Sequence, residues 1–299
     1  MNSGWYILNY HDINWELPLL FRRLGGTVPP DVFRGHIESV AAVGELISVQ
    51  EGLRRCRLGL EFVRPAFSFW FDDGLIGVRR YGMPICREYA VTGAVAACSR
   101  FALRDEMFWR FAFSLLLETG SQREMARRFV SCGWNGKTNL WSWTLDEFSD
   151  EVLAIIQGLY NEKTSFRFRQ DSFRVFDTAE GLAELTQEGW LIANHTAAHY
   201  PVTLREGQPY LLEQFLESES FVRSIQPDSS FWVLPFEKDS SVESDRFYGK
   251  IDTSATIVRV CNRINTVESF ARTGMLYRIA ADWMAKSKLP FQPRSVSMA

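Results

Sequence analysis

The sequence has few histidines and no cysteines at metal-knuckle spacing. Among its 299 residues there are four histidines and five cysteines, and no two cysteines stand in a CxxC pair. An odd cysteine count without that spacing argues against a disulfide framework and against a zinc knuckle. Unpaired cysteines of this kind are typical of proteins in a reducing compartment.

The sequence also lacks the features that would direct it to nucleic acid or into a membrane. Its formal net charge is −3 and its pI is about 5.9, so it has no basic surface of the kind that nucleic acid requires. No basic segment followed by an apolar one marks a signal peptide, and no apolar run approaches the length of a transmembrane helix. We therefore expect a cytoplasmic protein with no nucleic-acid partner and no transmembrane segment.

Apolar residues are plentiful, at 46% of the chain. A chain of this length and composition can bury a large core, as one large α/β domain or two smaller ones. Short apolar segments alternate with helical patterns, and this order predicts parallel βαβ units. Between about residues 101 and 175 the pattern is helical, which we interpret as an insertion. Its Trp134, Trp141 and Trp143 are expected to pack between helices, with a sugar-stacking surface as the alternative.

The most informative stretch is SFWFDDG, residues 68–74. The apolar run predicts a buried strand over residues 66–71 that ends at two adjacent carboxylates. Sites of α/β folds lie at the carboxyl ends of the strands. Successive side chains of an extended backbone point in opposite directions, so Asp72 and Asp73 can take different roles, one as a metal ligand and one as a base. The alternative is that Asp73-Gly74 is only a turn.

Histidines also stand just after predicted strands. His11 and Asp12 end the first predicted strand, and His195 and His199 follow a later one. Within a helical turn, residues four apart face the same way, so His195 and His199 can bind one metal ion. The alternatives are a surface or capping role for His11 and a chance occurrence of the HxxxH spacing.

Together, these strand ends supply the parts of a metal-dependent hydrolase. One aspartate and two histidines leave coordination positions open for water and substrate. A second aspartate beside them can take a proton from the water that the metal activates. A histidine across the site can give a proton to a leaving nitrogen. This combination is typical of metal-assisted amide hydrolysis.

The same residues resemble the polysaccharide deacetylases, also called NodB-homology or carbohydrate esterase family 4 proteins. Residues 68–74 are similar to that family's TFDDG motif, and HTAAH at residues 195–199 matches its H-[ST]-x-x-H motif. Residues 231–236 resemble its third motif, which is built around a Pro-aromatic pair. No histidine follows His199. Instead, residues 7–13 resemble the start of the circularly permuted branch, typified by poly-N-acetylglucosamine deacetylases, in which the acid histidine lies on the first strand.

The resemblance implies a fold and a metal site. The implied fold is α/β: a single distorted (β/α)7 barrel of NodB type that carries the helical insertion at about residues 101–175. The implied metal ligands are Asp73, His195 and His199. The implied cofactor is one divalent metal ion. Aspartate and two histidines suit zinc, and cobalt, nickel, manganese and iron are alternatives.

The resemblance also implies roles for the residues around the metal. Asp72 would be the general base and His11 the general acid. Thr196 would support the loop between the two metal-binding histidines, and Asp12 would support the site beside His11. Three residues of the third motif would contact the substrate: Trp232, Pro235 and Phe236.

The third motif departs from the family pattern. The family often has an arginine there that tunes the base, and a glycine after the aromatic residue. In this chain Phe231 and Trp232 precede Leu234-Pro235, and Glu237 follows Phe236. We therefore expect the base to be tuned differently and the substrate cleft to differ in shape.

The expected activity is removal of an acetyl group from an N-acetylated amino sugar. Because no signal or anchor is recognisable, the expected substrate shifts from an extracellular polymer to a nucleotide-linked, lipid-linked or natural-product sugar. A deformylase, an O-acetyl esterase or a cyclic-amide hydrolase would use the same site, since the same water attacks each carbonyl. The non-catalytic alternative is a member of the family that only binds a glycan.

Overall fold

A closed barrel of parallel strands forms the centre of the molecule. The computed structural model describes residues 2–201, 207–237, 248 and 254–282. Within these ranges the strands are β1 (Gly4–Tyr10), β2 (Asp12–Ile13), β3 (Thr27–Val28), β4 (Glu45–Leu46), β5 (Pro65–Phe71), β6 (Ala94–Ala97), β7 (Leu191–Asn194), β8 (Phe231–Val233), β9 (Thr256–Val260) and β10 (Leu276–Ala280). Seven of them close the barrel in the order β1-β5-β6-β7-β8-β9-β10, because β1 pairs with both β5 and β10. The predicted (β/α)7 barrel is confirmed.

Helices connect the strands and cover the outside of the barrel. The α-helices are α1 (Pro30–Ala41), α2 (Val49–Leu58), α3 (Met83–Glu88), α4 (Ser99–Ala102), α5 (Trp109–Glu118), α6 (Gln122–Phe129), α7 (Leu140–Asp146), α8 (Asp150–Lys163), α9 (Phe166–Ser172), α10 (Ala179–Gln187), α11 (Gly207–Ile225) and α12 (Val267–Thr273). Several begin at a side-chain cap: the Thr178 hydroxyl, for example, accepts from the Gly181 N–H. None of the helices described combines the length and the apolar character that crossing a bilayer would require.

Side chains of the barrel strands alternate between the interior and the helical layer. On β5, Trp70 packs in the interior cluster with Ile7 of β1. Phe69 and Phe71 point the other way, and both rings contact Phe33 of α1. Because a strand has a period of two residues, the position two after Trp70 ends the interior row. That position is Asp72.

Helices α4 to α9 lie between β6 and β7 in sequence and form a layer at the carboxyl ends of the strands. Their core includes residues a few positions beyond the ends of strands: Leu75 after β5, Phe101 after β6 and Tyr200 after β7. This layer, which we call the insertion layer, therefore borders the end of the barrel where sites of α/β folds lie.

The tryptophans of the insertion layer pack within it. Trp141 stacks on Phe113 with ring centroids 5.5 Å apart, and Trp143 contacts Phe129 at 5.3 Å. Trp134 donates from its indole nitrogen to a backbone carbonyl four residues on. These contacts agree with helix packing, the interpretation favoured over a sugar-stacking surface.

Candidate active site

The carboxyl ends of the strands bring the predicted chemical residues to one cavity of about 310 Å³. His11 comes from the end of β1, Asp72 and Asp73 from the end of β5, and His195 and His199 from the end of β7. All five line the cavity. The topology of the barrel, in which these strands run parallel, accounts for their convergence.

Asp73, His195 and His199 form a group that can hold a metal ion. One potential ligand atom from each lies within 4.8 Å of the other two, and all three residues are buried. Asp73 Oδ1 lies 3.5 Å from His195 Nε2 and 3.0 Å from His199 Nε2. The two Nε2 atoms are 3.1 Å apart.

The hydrogen bonds around this group leave its ligand atoms facing one another. His195 Nδ1 lies 3.0 Å from the carbonyl oxygen of Val233. A carbonyl only accepts, so Nδ1 carries the proton and Nε2 presents its lone pair to the centre. Asp73 Oδ1 is buried and makes no well-formed hydrogen bond within the described part of the chain. Buried atoms that converge with their lone pairs together fit a divalent cation.

The electrostatics of the group favour the forms that bind metal. Burial raises the pKa of Asp73, but His199 and His195 outweigh it and hold that pKa well below its usual range. Burial lowers the pKa of His199, and the nearby Asp73 only partly offsets this effect. An ionised aspartate and a neutral histidine are the states in which each can ligate a metal.

The loop between the two histidines differs from the predicted helical turn. Thr196 and His199 both have left-handed backbone, with φ of 69° and 56°. The loop is held by Asn194 Oδ1, which accepts from the Thr196 N–H at 2.9 Å, and by the Thr196 hydroxyl, which accepts from the His199 N–H at 3.1 Å. The histidines are thus brought together by a strained loop. The hydrogen bond between the Thr196 hydroxyl and the His199 N–H is of the kind that the predicted supporting role of Thr196 requires.

A second left-handed turn begins at Asp73, directly after Asp72. Asp73 has φ of 71° and Gly74 has φ of 68°. The prediction that the backbone stays extended through Asp73 is therefore wrong: the extended segment ends at Asp72. Asp72 still belongs to the interior row, whereas the turn directs Asp73 to the histidines. The segment is both a turn and part of the candidate site.

Asp72 is held by three donors inside the barrel. Arg278 Nη1 and Trp70 Nε1 donate to Oδ1, the latter at 3.1 Å, and Asn9 Nδ2 donates to Oδ2 at 3.0 Å. Arg278 is fully buried. Burial raises the pKa of Asp72, but Arg278 and then the neighbouring histidines outweigh it, so the pKa lies below its usual value. The carboxylate is therefore kept ionised.

His11 is held by a carboxylate that the sequence analysis did not identify. Its Nδ1 lies 2.5 Å from Asp282 Oδ2, and its Nε2 lies 4.0 Å from Asp72 Oδ2. Its side chain is 30% exposed. Burial lowers the pKa of His11, but Asp282 and the two site aspartates raise it to about 10. At neutral pH, His11 therefore presents a protonated imidazole to the cavity.

Sequence reasoning missed four residues that hold the predicted acid and base: Asn9, Trp70, Arg278 and Asp282. A signal was present for two of them. Arg278 is a charged residue within the apolar strand β10, and Asp282 follows that strand much as Asp72 follows β5. A charge inside an otherwise buried strand requires a partner, and this is the pattern that could have found them.

The third motif contributes two residues to the cavity, Leu234 and Phe236. Phe236 lines it, in a left-handed conformation with φ of 53°. Trp232 and Pro235, for which substrate contacts are predicted, are both buried and are not among the residues that line the cavity. Trp232 points outward to α11, where it stacks on Phe215 at 4.6 Å and donates to Glu219 at 2.8 Å.

Asp12 lies at the edge of the same cavity, on β2. It is buried, and it accepts a hydrogen bond of 3.3 Å from the Thr27 hydroxyl of β3. Burial raises the pKa of Asp12 to about 6. This contact joins β2 to β3 beside His11.

Comparison of the sequence with protein-family models and with curated proteins finds no match. Solved structures are nevertheless similar over nearly the whole chain. The deacetylase PplD from Streptococcus pyogenes, solved in complex with acetate, is 14% identical, with a TM-score of 0.55 over 94% of this chain and 93% of that chain. IcaB from Ammonifex degensii is 12% identical, with a TM-score of 0.57 over 93% of this chain and 92% of that chain.

The chain has the polysaccharide deacetylase fold. A third structure with this fold, a de-N-acetylase from Aggregatibacter actinomycetemcomitans, is 14% identical, with a TM-score of 0.54 over 93% of this chain and 94% of that chain. At these identities the likeness establishes the fold alone. The resemblance predicted from the motifs is confirmed at that level, and the polysaccharide deacetylase fold places the motifs at the mouth of the barrel.

Proposed function

We propose that this chain is a metal-dependent hydrolase that removes an acetyl group from the nitrogen of an amino sugar. The observation that carries the proposal is the convergence of the buried Asp73-His195-His199 group with Asp72 and His11 at one cavity. The structural neighbours support it, because one is described as a deacetylase in complex with acetate and another as a de-N-acetylase.

Each part of the site has a role in amide hydrolysis. A divalent metal ion held by Asp73, His195 and His199 would supply a Lewis acid, which polarises a carbonyl and lowers the pKa of water. Asp72 accepts the proton of the attacking water. Its interactions with Arg278 keep it ionised, and therefore able to accept, at neutral pH.

His11 performs the opposite transfer. Expulsion of the amine requires a proton on the leaving nitrogen, and the imidazolium of His11 donates it from Nε2. Asp282 holds Nδ1 and keeps the ring protonated. The two groups with opposite tasks thus have pKa values moved in opposite directions, Asp72 below and His11 above its usual value.

We infer zinc as the metal, since one carboxylate and two imidazoles suit it and leave positions open for water and substrate. Cobalt, nickel, manganese and iron share this ligand preference to different degrees. Metal analysis of protein expressed in medium with balanced divalent metals identifies the ion.

Measurements of bound metal and of turnover in single variants distinguish the proposed metal ligands from the proposed base. Asp73→Ala and His199→Ala should lose both bound metal and turnover. Asp72→Asn should keep the metal and lose turnover by at least about a hundredfold, as removal of a general base predicts. The control is His36→Gln, which removes a buried histidine that bonds Tyr10 outside the cavity and should leave both unchanged. Full metal content and turnover in Asp73→Ala and His199→Ala would refute the proposal.

A further inference from the structure

The cavity has two chemically different sides. The polar side carries the candidate catalytic residues. The other side, which we call the apolar wall and which adjoins the polar one, carries large hydrocarbon side chains: Phe21, Leu24, Leu75, Phe108, Phe111 and Leu145. Of these six residues, three come from the insertion layer, namely Phe108, Phe111 and Leu145, so the helical insertion builds half of the apolar wall.

The apolar wall is continuous with the metal group. The ring of Phe108 lies 4.6 Å from that of the metal-site histidine His199, and Phe111 follows at 4.7 Å from Phe108. Phe21 lies 4.3 Å beyond Phe111. Phe236 also contacts His199, at 4.5 Å, and its ring lies 6.1 Å from that of Phe108. A row of aromatic rings thus leads away from the metal group into the cavity.

The apolar wall offers little to sugar hydroxyls. Outside the candidate catalytic groups and their partners, the polar residues that line the cavity are engaged with the protein. Thr27 donates to Asp12, and Glu237 accepts from Arg259 and from the Val260 N–H. Hydroxyl groups placed against this wall would lose water without gaining partners among the described residues, which is unfavourable.

The position of His11 decides which part of the substrate meets the wall. The leaving nitrogen of the amide must face His11, and in a planar amide the acyl carbon extends from the carbonyl away from that nitrogen. The ring of Phe108 that begins the row lies 4.6 Å from the ring of His199, a proposed metal ligand, so the row starts where the metal would polarise the carbonyl. The acyl group is therefore the part of the substrate directed along the apolar wall.

We propose that the site takes N-acyl groups longer than acetyl, with the alkyl chain lying along Phe108, Phe111 and Phe21. This inference rests on the proposed function and names its substrate class: an amino sugar that bears a medium-length fatty amide. The reaction is hydrolysis, in which water adds to the carbonyl, the C–N bond breaks, and a free amine and a fatty carboxylate leave.

The first test measures binding without chemistry. The affinity of chelated protein for glucosamine that carries N-acetyl, N-butanoyl, N-hexanoyl or N-octanoyl groups is measured by calorimetry. Each methylene buried on the wall should raise the affinity about fourfold until the cavity is filled. A flat or falling series would overturn the inference.

The second test measures amine release from the same series by metal-loaded protein. The value of kcat/KM should rise from acetyl toward hexanoyl. If acetyl is cleaved best and the binding series is flat, the inference fails while the proposed function stands. If affinity rises with chain length but no member is cleaved in metal-loaded protein, the proposed function fails while the wall keeps its role in binding.

A variant that fills the wall makes the test specific. Leu145 is only partly buried, so Leu145→Trp should fold and should shift the preferred acyl group to a shorter one. The control is Leu103→Trp, at an exposed position outside the cavity, which should leave the preference unchanged. If Leu145→Trp does not fold, Leu24→Trp, also partly buried on the wall, gives the same readout. An unchanged preference in the wall variant would contradict the assignment.

Discussion

Arg278 donates a hydrogen bond to Asp72 from a strand that is not its neighbour. The two residues lie on β10 and at the end of β5, and β1 runs between these strands. Asn9 of β1 completes a triangle, since it accepts from Arg278 at 2.8 Å and donates to Asp72 at 3.0 Å. The third motif of this chain has no arginine, and Arg278 of β10 instead supplies the cation beside Asp72, the predicted base.

Arg278→Met should lower activity and shift the acid limb of the pH profile of kcat/KM to higher pH. Without Arg278, burial raises the pKa of Asp72, so the base is protonated at higher pH. We expect kcat/KM at neutral pH to fall about 10- to 100-fold. Because the folded pKa of Asp72 is depressed, its stabilising contribution is present above its unfolded value and is lost as the pH falls through the folded one. The deficit in unfolding free energy, about 3–5 kcal/mol at neutral pH, should therefore shrink at acidic pH.

The matched control is Arg259→Met on the adjacent strand β9. It removes a buried arginine that pairs with Glu237 and does not contact Asp72. Its acid limb should coincide with that of the wild-type protein. Denaturant titrations at neutral and acidic pH and profiles of kcat/KM against pH make the comparison. An acid limb that stays in place in Arg278→Met would show that Asp72 does not depend on this cation.

The pairing of His11 with Asp282 predicts an unusual histidine titration. In chelated protein, NMR should show His11 titrating near pH 10. Chelation is needed because a bound cation lowers the pKa of a nearby imidazolium by repulsion. In Asp282→Asn the carboxylate that raises the pKa of His11 is gone, while burial still lowers it, so the pKa of His11 should fall below about 10. The signals of His36, whose pKa is lowered by burial, should be the same in both proteins.

The same pair predicts a stability difference with a defined sign. The folded pKa of His11 is raised above its usual 6.5, so the stabilisation from Asp282 is complete below that value and is lost as the pH rises through about 10. The deficit of Asp282→Asn in unfolding free energy should therefore be larger just below pH 6.5 than at pH 8 to 9, and small above pH 10. A deficit that does not vary with pH would point to packing alone.

Two glycine substitutions should change stability in opposite directions. A Cβ at Gly77 would clash with Asp12 Oδ1 and with the Ile13 carbonyl oxygen, so Gly77→Ala should destabilise the fold by about 1–3 kcal/mol. Gly35 lies inside α1 with no atom within 4 Å of an added Cβ. Gly35→Ala should stabilise by about 0.5–1 kcal/mol. Thermal and denaturant unfolding measure both, and a neutral Gly77→Ala would exclude tight packing of Asp12.

The sequence allowed prediction of features that depend on neighbouring residues. The buried strand before Asp72 and the spacing of His195 and His199 are local patterns, and parallel topology places such strand ends together. The contact between Arg278 and Asp72 joins residues far apart in sequence and depends on which strands flank β1. Barrel closure sets that order, and no local pattern encodes it.

Two further differences between the structure and the sequence patterns have local physical reasons. Trp232 lies next to the Pro-aromatic pair, but alternation along β8 turns it outward onto Phe215. The spacing of His195 and His199 fits a helical turn. Instead, the side-chain oxygens of Asn194 and Thr196 accept hydrogen bonds from backbone N–H groups and hold a loop with left-handed residues. Side-chain hydrogen bonds that compete with helix formation are difficult to predict from spacing alone.

Acetate release from N-acetylated sugars tests the central claim most directly. Chelated protein is incubated with a panel of free, nucleotide-linked and lipid-linked N-acetyl amino sugars and short oligomers, and again after one equivalent of zinc is restored. We predict no release from the chelated protein and metal-restored release from at least one class, with a free amine formed in equal amount. No release from any class by protein that demonstrably binds zinc would contradict the deacetylase function.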